Sequence, residues 1–496
     1  MLNRKLLSIG ASLLAVIGLT ACSKDYEPEM YYSNQVSLEK RIESLQISDL
    51  SSKQFVQNGI EEVELVQAVD GDTARFRLKD NEQVITVRFL GTDTPESTSS
   101  IQPWGFAASE YVANILNNAD QIVIDAMDLY VPGNPTANRM DSNGSRYLAY
   151  VWADGKLVNL QTIEQSYSQS GSIAFSAAEG DRYTMSITEK DSDSSKQMDI
   201  EDIMYQAELL VKKDAKRIHG EEQDPNFDYS TEPKTLNLRD LLADWEQYYK
   251  RATLVSVEVV ITRYNGKNFY IEDVIDGTKY ATYVYAGLSS VSLQRQYPAG
   301  TRVKLVGRMS QYGGVPQLSD IDKDAIEVIE KNATIDSATV IAKTAEKSTF
   351  ESHKDDYNVE LDRNGAKALL NKLVQVTFTC QGTGKPSSSG AYTVYTDLAL
   401  KGDYVFNIGS NGREYSSMGL NVRVNGTIVP YINNNFWEKN ANYTVIGILS
   451  YYDYDGLNDD GEYQIMISNL IKNPNNSSAW GTSVITPVFD DIIIVK

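Results

Sequence analysis

The residues whose chemistry and spacing stand out are carboxylates and arginines in two short segments. The first segment is Asp70-Gly71-Asp72-Thr73, and the second is Arg88-Phe89-Leu90-Gly91-Thr92-Asp93-Thr94-Pro95-Glu96. Carboxylates on two separate loops are the oxygen donors that a hard cation needs if coordination positions are to stay open for substrate and water. Arginine adds planar N–H donors that match phosphate oxygens and keep their charge. Together these side chains predict metal-assisted hydrolysis of a phosphodiester.

A third segment, 144–155, adds a second arginine, Arg146, where the chain enters a strand. Glu96 follows a turn-forming proline, where its carboxylate is placed to hold a water molecule. Each motif is common by itself, because Asp-Gly-Asp occurs in ordinary turns and Arg88 also suits the edge of a strand. The prediction therefore rests on the ordered set.

Composition argues against other catalytic chemistry. The chain has two histidines, His219 and His353, each in a polar stretch that predicts a surface position. Zinc sites, Ser-His-Asp triads and histidine-based nucleases are therefore disfavoured. The formal net charge of −21 also argues against tight, processive binding of nucleic acid, which normally uses a basic surface. It does not exclude catalysis, because a metal ion and two arginines create local positive potential within an acidic protein.

Several secondary-structure elements must position these residues. Alternating apolar residues predict hairpin-linked strands of a small antiparallel barrel within 61–87. Helical spacing predicts helices at 104–116 and 200–218. Further strands are predicted at 122–124 and 147–152, with a tight hairpin turn at Asp154-Gly155.

The order and spacing of these segments resemble those of the staphylococcal-nuclease (thermonuclease) domain over roughly 61–222. Gly105-Phe106-Ala107-Ala108 at a helix start and Ala207-Glu208-x-x-x-Lys212-Lys213 in the later helix match the same family in the same order. The resemblance implies an OB-fold barrel with helices. It also implies an endonuclease that cuts DNA and RNA and leaves 3′-phosphate ends.

The resemblance implies Ca²⁺ as the cofactor. By this resemblance, Asp72 and Asp93 would be calcium ligands, the Thr94 backbone carbonyl would also bind the ion, and Asp70 would lie behind them.

The resemblance also implies the catalytic residues. Glu96 would position or deprotonate the attacking water, while Arg88 and Arg146 would clamp the phosphate and stabilise the charge of its transition state. One departure concerns Arg146, which follows Asn-Gly-Ser where the family often has Tyr-Gly. The family's lysine and tyrosine contacts to the nucleotide have no clear counterpart here, which leaves substrate preference open.

The N-terminus predicts membrane anchoring. Three polar or basic residues, Asn3, Arg4 and Lys5, precede an uncharged stretch, 6–20, that is too short to favour a transmembrane helix. Leu19-Thr20-Ala21-Cys22 resembles the processing site of bacterial lipoproteins. We therefore expect residues 1–22 to be a signal peptide and Cys22 to carry acyl chains. The mature chain would lie outside the cytoplasm, anchored to a bacterial membrane, with the outer membrane favoured.

The remainder divides into further segments. Residues 23–60 are interpreted as a tether and 223–236 as a linker. Two similar stretches follow, in which Leu254-Val255-x-Val257 recurs as Leu373-Val374-x-Val376. These predict OB-like β modules at 237–332 and 333–475, with a tail at 476–496. The expected fold class is thus mainly β with helices: a staphylococcal-nuclease-like OB-fold barrel followed by two tandem OB-like barrel modules.

The later modules leave the function open in one respect. Tyr264, Phe269, Tyr270 and Tyr312 would suit a platform for single-stranded nucleic acid or sugar, although such aromatics are also ordinary strand residues of a barrel. A non-catalytic surface lipoprotein that binds nucleic acid, polysaccharide or protein is the main alternative, favoured by the acidity. A scaffold, however, has no need for the carboxylate and arginine set. If the prediction of a nuclease is correct, the first barrel should be separable from the later modules. A fragment ending near Glu222 should then fold and cut a short oligonucleotide.

Overall fold

The computed structural model describes residues 32–98, 100–127, 140–141, 145–171, 186–187, 198–287, 293–349, 354–402, 419–425, 432–452, 461–467 and 492–495. The predicted signal peptide, Cys22 and His353 lie outside these residues. The strands form three main sheets that follow one another along the chain. Among the described helices, none combines the length and apolar character needed to cross a bilayer.

The first barrel contains the two motif segments. Its elements are α1 Leu38–Ser44, α2 Phe55–Asn58, β1 Ile60–Asp70, β2 Thr73–Leu78, β3 Val84–Phe89, β4 Thr92–Asp93, α3 Gly105–Asn117, β5 Ile122–Asp125, β6 Tyr147–Ala153, β7 Lys156–Leu157, α4 Val158–Glu164, β8 Gln169–Ser170, β9 Ser186–Ile187, β10 Met198–Asp199 and α5 Ile200–Asp214.

Five of these strands close into a barrel. The sheet order is β3-β2-β1-β5-β6, and β3 also pairs with β6 in parallel, so that the sheet returns on itself. Burial alternates along β2 and β3, because successive side chains point to opposite faces of a strand. Phe76 and Val87 thus face the core, whereas Arg88 lies on the outer face. The predicted elements of this barrel are therefore confirmed, with boundary shifts of a few residues.

The turn after β6 is the predicted tight hairpin turn. Asp154 and Gly155 both have positive φ, 47° and 77°, which matches the backbone twist of a two-residue hairpin.

Residues 36–58, predicted to belong to a tether, pack into the core of the first barrel instead. Val36, Leu38 and Phe55 are buried there. Arg41 is 2% exposed and its Nε donates to Asp125 Oδ2 at 2.8 Å, while Asp125 is fully buried. A buried charge is tolerated only when it is paired. Helix α1, which carries Arg41, and strand β5, which carries Asp125, therefore depend on one another.

The middle barrel has a second closed sheet. Its elements are β11 Lys234–Leu236, α6 Leu238–Ala243, α7 Trp245–Lys250, β12 Leu254–Asn265, β13 Asn268–Ile275, β14 Thr278–Val284, α8 Leu293–Gln296, β15 Arg302–Tyr312, β16 Val315–Ser319 and β17 Glu327–Glu330. The sheet order is β11-β12-β13-β14-β16-β15-β17, and β12 also pairs with β15. Strand β11 falls in the predicted linker, yet it pairs in parallel with β12.

The third barrel repeats this topology. Its elements are β18 Thr339–Ile341, β19 Lys343–Lys347, β20 Tyr357–Asp362, α9 Arg363–Ala368, β21 Leu373–Thr383, β22 Tyr392–Thr396, β23 Leu398–Lys401, β24 Asn421–Val424, β25 Asn442–Tyr452, β26 Glu462–Ile467 and β27 Ile492–Val495. The main sheet runs β18-β21-β22-β24-β26-β25-β27, with β21 also paired to β25. Strand β27 lies in the predicted tail but pairs with β25, as β17 pairs with β15.

The sequence repeat is therefore confirmed in the strand register. Val255 lies opposite Gly307 in the middle barrel, and Val374 lies opposite Gly447 in the third. A Cβ at Gly307 or Gly447 would lie 2.7 or 2.8 Å from a backbone carbonyl oxygen of the next strand. The same close approach of strands thus requires glycine at both positions.

The proposed aromatic platform is not available as a whole. Tyr264 and Phe269 are buried within the middle barrel, and Tyr270 is covered by the third barrel, where it clusters with Leu373. Only Tyr312 of the four is exposed, at 62%. This part of the middle barrel therefore contacts another barrel rather than solvent.

Candidate active site

Strand register brings the two motif segments together at one end of the first barrel. In the β2–β3 pair, Thr73 lies opposite Arg88. The backbone N–H of Phe89 donates to the Asp72 carbonyl oxygen at 2.7 Å. Asp72, in the turn between β1 and β2, is thereby held beside the strand that carries Arg88.

The Asp72 carboxylate is buried, with 1% exposure, and both of its oxygens accept hydrogen bonds. Oδ1 accepts from Arg88 Nη1 and from the Thr73 hydroxyl, and Oδ2 accepts from the Thr94 backbone N–H and hydroxyl at 3.0 Å each. Burial and the neighbouring Asp70 carboxylate raise the pKa of Asp72 to about 6, although the Arg88 charge opposes this. The site therefore favours a cation near Asp72.

Gly71 permits the contact between Asp72 and Thr94. A Cβ at Gly71 would lie 2.8 Å from Thr94 Oγ1, closer than such atoms normally approach. The glycine in Asp-Gly-Asp is thus needed for the approach of the two loops.

Arg88 joins the carboxylates of the two loops. Its Nη1 donates to Asp72, and its Nη2 donates to Asp93 Oδ1 at 3.1 Å and to the Thr92 carbonyl oxygen at 3.3 Å. The Arg88 side chain is 21% exposed, and that of Asp93 is 67% exposed. Two carboxylates predicted to bind one metal ion therefore converge on a single guanidinium group that reaches solvent.

The donor set fits a hard cation. The side-chain groups that accept from Arg88 here are carboxylates, and oxygen is the ligand atom that Ca²⁺ prefers. Within the described ranges there is no group of three or more His, Cys, Asp or Glu side chains arranged to hold a metal ion. Asp72 and Asp93, with backbone oxygens and water, are the ligands that this arrangement offers.

Glu96 lies on a loop whose backbone is well anchored. Its N–H donates to Gln102 Oε1 at 3.0 Å, and the Gln102 N–H donates back to the Glu96 carbonyl oxygen at 2.9 Å. A Cβ at Gly105 would lie 2.1 Å from that carbonyl oxygen, so the start of α3 also requires glycine. The Glu96 side chain is exposed, and its backbone is positioned by contacts that the sequence did not reveal.

Arg146 lies beside the same strand as Arg88. Strands β3 and β6 are parallel, with Val87 opposite Tyr147, so Arg146 directly precedes the paired residues. Its Nε donates to Asp141 Oδ2 at 2.7 Å, and its side chain is 34% exposed. Burial opposes ionisation of Asp141, but hydrogen bonds from Arg146 and Ser145 outweigh it and lower the pKa of Asp141. Arg146 is therefore held by a carboxylate, with part of its surface open.

A buried serine that the sequence did not indicate orients the backbone of Asp93. The Asp93 N–H donates to Ser168 Oγ at 2.9 Å, and Ser168 is fully buried. Strands β4 and β8 pair at this point, with Asp93 opposite Gln169. The contact joins residues 75 positions apart, so no local pattern could have indicated it.

His219, predicted at the surface, is only partly exposed.

A comparison with protein-family models gives a match over part of this barrel. Residues 86–197 match the model described as staphylococcal nuclease homologue. The matched range begins on β3 and includes Arg88, Asp93, Glu96 and Arg146, whereas Asp72 precedes it.

Proposed function

We propose that the first barrel, a staphylococcal-nuclease-like domain, hydrolyses phosphodiester bonds of DNA, RNA or both with Ca²⁺ and leaves 3′-phosphate ends. The observation that supports this best is the convergence of Asp72 and Asp93, from separate loops, on the Arg88 guanidinium. Oxygen ligands for a metal and N–H donors for a phosphate thus lie side by side at one partly open position.

The residues divide the chemistry between them. Asp72, Asp93 and the Thr94 carbonyl would hold Ca²⁺. The bound ion would supply positive charge to a phosphate oxygen of the substrate. Glu96 would position or deprotonate the attacking water, and its exposed side chain on an anchored backbone supports this role. Arg88 and Arg146 would donate to the phosphate oxygens as negative charge develops in the transition state.

The proposed localisation is a bacterial membrane. Cys22 would carry the lipid anchor, which would place the nuclease barrel outside the cytoplasm with nucleic acid as its substrate.

A cleavage assay tests the proposed activity. The purified chain should cut a fluorophore-labelled oligonucleotide in Ca²⁺ and lose that activity in excess chelator. With the fluorophore at the 5′ end, the labelled product should carry the 3′-phosphate, so treatment with a phosphatase should change the electrophoretic mobility of that product. Full activity in chelator would contradict the calcium requirement.

Variants of the metal ligands test the site. Asp72→Asn and Asp93→Asn should each weaken Ca²⁺ binding measured by calorimetry, because each removes a charged oxygen ligand. Asp80→Asn is the matched control, since Asp80 is an exposed carboxylate in the same barrel. Equal Ca²⁺ affinity in the three variants would contradict the ligand assignment.

The alternative of a non-catalytic binding lipoprotein has its own signature. The net charge of −21 favours the form of this alternative that binds a polysaccharide or a protein, since an acidic surface gives weak affinity for phosphate. Retention of oligonucleotide or polysaccharide without any cleavage in Ca²⁺ would support that function instead.

A further inference from the structure

The loop that carries Glu96 also contacts the middle barrel. This loop, described for residues 94–98 and 100–104, leaves β4 and leads into α3. Ser97 follows Glu96 directly and is 2% exposed. Its carbonyl oxygen accepts a hydrogen bond from the hydroxyl of Tyr249 at 2.9 Å, and Tyr249 belongs to α7 of the middle barrel. The two residues are 152 positions apart.

A second contact places an apolar side chain of the loop in the core of the middle barrel. Ile101 is 7% exposed and clusters with Leu238 and Leu241 of α6 and with the α7 tyrosines. Burying this side chain is favourable because it removes apolar surface from water. The end of the loop is therefore anchored outside the first barrel.

Further contacts fix the junction between the loop and α3. The Trp104 N–H donates to Asp224 Oδ2 at 2.7 Å. The ring of Phe106, in the first turn of α3, packs edge-on against Tyr249 with centroids 5.0 Å apart and an angle of 89°. Tyr249 thus contacts both sides of the loop, through its hydroxyl and through its ring.

We propose that the middle barrel is part of the nuclease's working unit, and that Tyr249 is a positioning residue that fixes Glu96 through Ser97. This inference rests on the proposed function of Glu96. The barrel provides a rigid support because α7 packs on β15 and Tyr249 is 8% exposed. Burial raises the pKa of Tyr249 to about 12, so its hydroxyl remains a donor throughout the neutral range.

The contact between Tyr249 and Ser97 gives the middle barrel a role in positioning Glu96, and this role does not require the middle barrel to bind a ligand. A misplacement of about 1 Å at a catalytic group can cost on the order of a hundred-fold in rate. A fragment ending near Glu222 would lack both Asp224 and Tyr249. The structure therefore argues against the separability that the sequence predicts.

The test uses two tyrosines of the middle barrel in the full chain. Tyr249→Phe removes the hydrogen bond to Ser97, together with the contact between the hydroxyl and Gln311 of the middle barrel, and it keeps the ring. Tyr264→Phe is the matched control, because Tyr264 is also buried and its hydroxyl donates to the Tyr297 carbonyl oxygen at 2.6 Å, within the same barrel. Ile101→Ala is a second, independent variant.

Two readouts are measured for each variant. We expect kcat to fall about ten-fold or more in Tyr249→Phe with KM changed less than about two-fold, because the positioning of Glu96 is lost and substrate contacts remain. Amide hydrogen exchange in peptides covering 96–103 should rise about five-fold, as expected for the loss of one hydrogen bond. Ile101→Ala should show the same two changes, and Tyr264→Phe should show neither.

The outcomes separate this inference from the proposed function. If the wild-type chain cleaves no nucleic acid, the proposed function fails, while hydrogen exchange still reports on the support of the loop. Unchanged exchange at 96–103 in both Tyr249→Phe and Ile101→Ala overturns the inference. So does an unchanged kcat in an active enzyme whose loop exchange has risen, or an equal loss of kcat in Tyr264→Phe.

Discussion

Arg88→Lys should separate the geometry of the guanidinium from its charge. Arg88 spans two carboxylates at once, with Nη1 on Asp72 and Nη2 on Asp93. A lysine keeps the positive charge near buried Asp72, so the barrel should still fold. Its single ammonium group cannot reproduce the planar fork that matches two phosphate oxygens.

The expected loss follows from this difference. Removing one preorganised donor to a developing oxyanion costs about 10²–10³-fold in kcat, or about 2.7–4 kcal/mol. We expect Arg88→Lys to lose about a hundred-fold in kcat. Arg88→Ala should lose more, and in the absence of Ca²⁺ it should also destabilise the fold by about 3–5 kcal/mol, because Asp72 is 1% exposed and would be left without a cation.

The assay is initial-rate cleavage of a labelled oligonucleotide in saturating Ca²⁺, with circular dichroism to check folding. Arg77→Lys is the matched control, since Arg77 lies on the adjacent strand β2, is 41% exposed and faces Glu82 at 3.9 Å. Its kcat should stay near the wild-type value, because exposed ion pairs contribute little. A kcat for Arg88→Lys within about three-fold of the control would show that the planar geometry of the guanidinium group is not needed for catalysis.

Three further predictions address other parts of the chain. Glu96→Gln keeps the side-chain shape and removes the base, so single-turnover cleavage should slow while oligonucleotide affinity measured by fluorescence anisotropy stays nearly intact; near-normal turnover would contradict its role. Cys22→Ala should move the protein from the membrane fraction to the soluble fraction after cell lysis, and a variant that still sediments with membranes would refute the anchor. Arg41→Met should destabilise the first barrel by about 3–5 kcal/mol in denaturant-dependent hydrogen exchange, because it removes the ion-pair partner of buried Asp125. Adding Asp125→Asn should recover most of this loss of stability. If stability does not recover, the broken ion pair is not the cause of the loss.

The sequence was most informative where the structure depends on neighbouring residues along the chain. Alternating apolar residues at 61–87 identified β1, β2 and β3, because the side chains of a strand alternate between its two faces. The short β2–β3 connection then sets the register that brings Thr73 opposite Arg88. Proximity of the Asp-Gly-Asp turn and the arginine could therefore be predicted, and so could the two similar barrels, whose repeat appears in their strands.

The sequence was least informative where two distant surfaces meet. Residues 36–58 look like a polar tether with at most a short amphipathic helix, and only the structure shows that Leu38 and Phe55 enter the core while Arg41 pairs with buried Asp125. Tyr270 looks like a candidate for ligand stacking, but the third barrel covers it. The outcome at each position depends on which surface packs against it, and that partner lies far away in the chain.

By itself, the sequence determined the residue types of the candidate site, the strand periodicity and the order of the barrels, because these are recorded in local spacing. Only the tertiary structure decided that Arg88 joins Asp72 to Asp93, that Ser168 holds the Asp93 backbone and that Tyr249 supports the Glu96 loop. The physical reason is that hydrogen bonds and apolar contacts act over a few ångströms in space. The chain must fold before residues separated by 75 or 152 positions can form them.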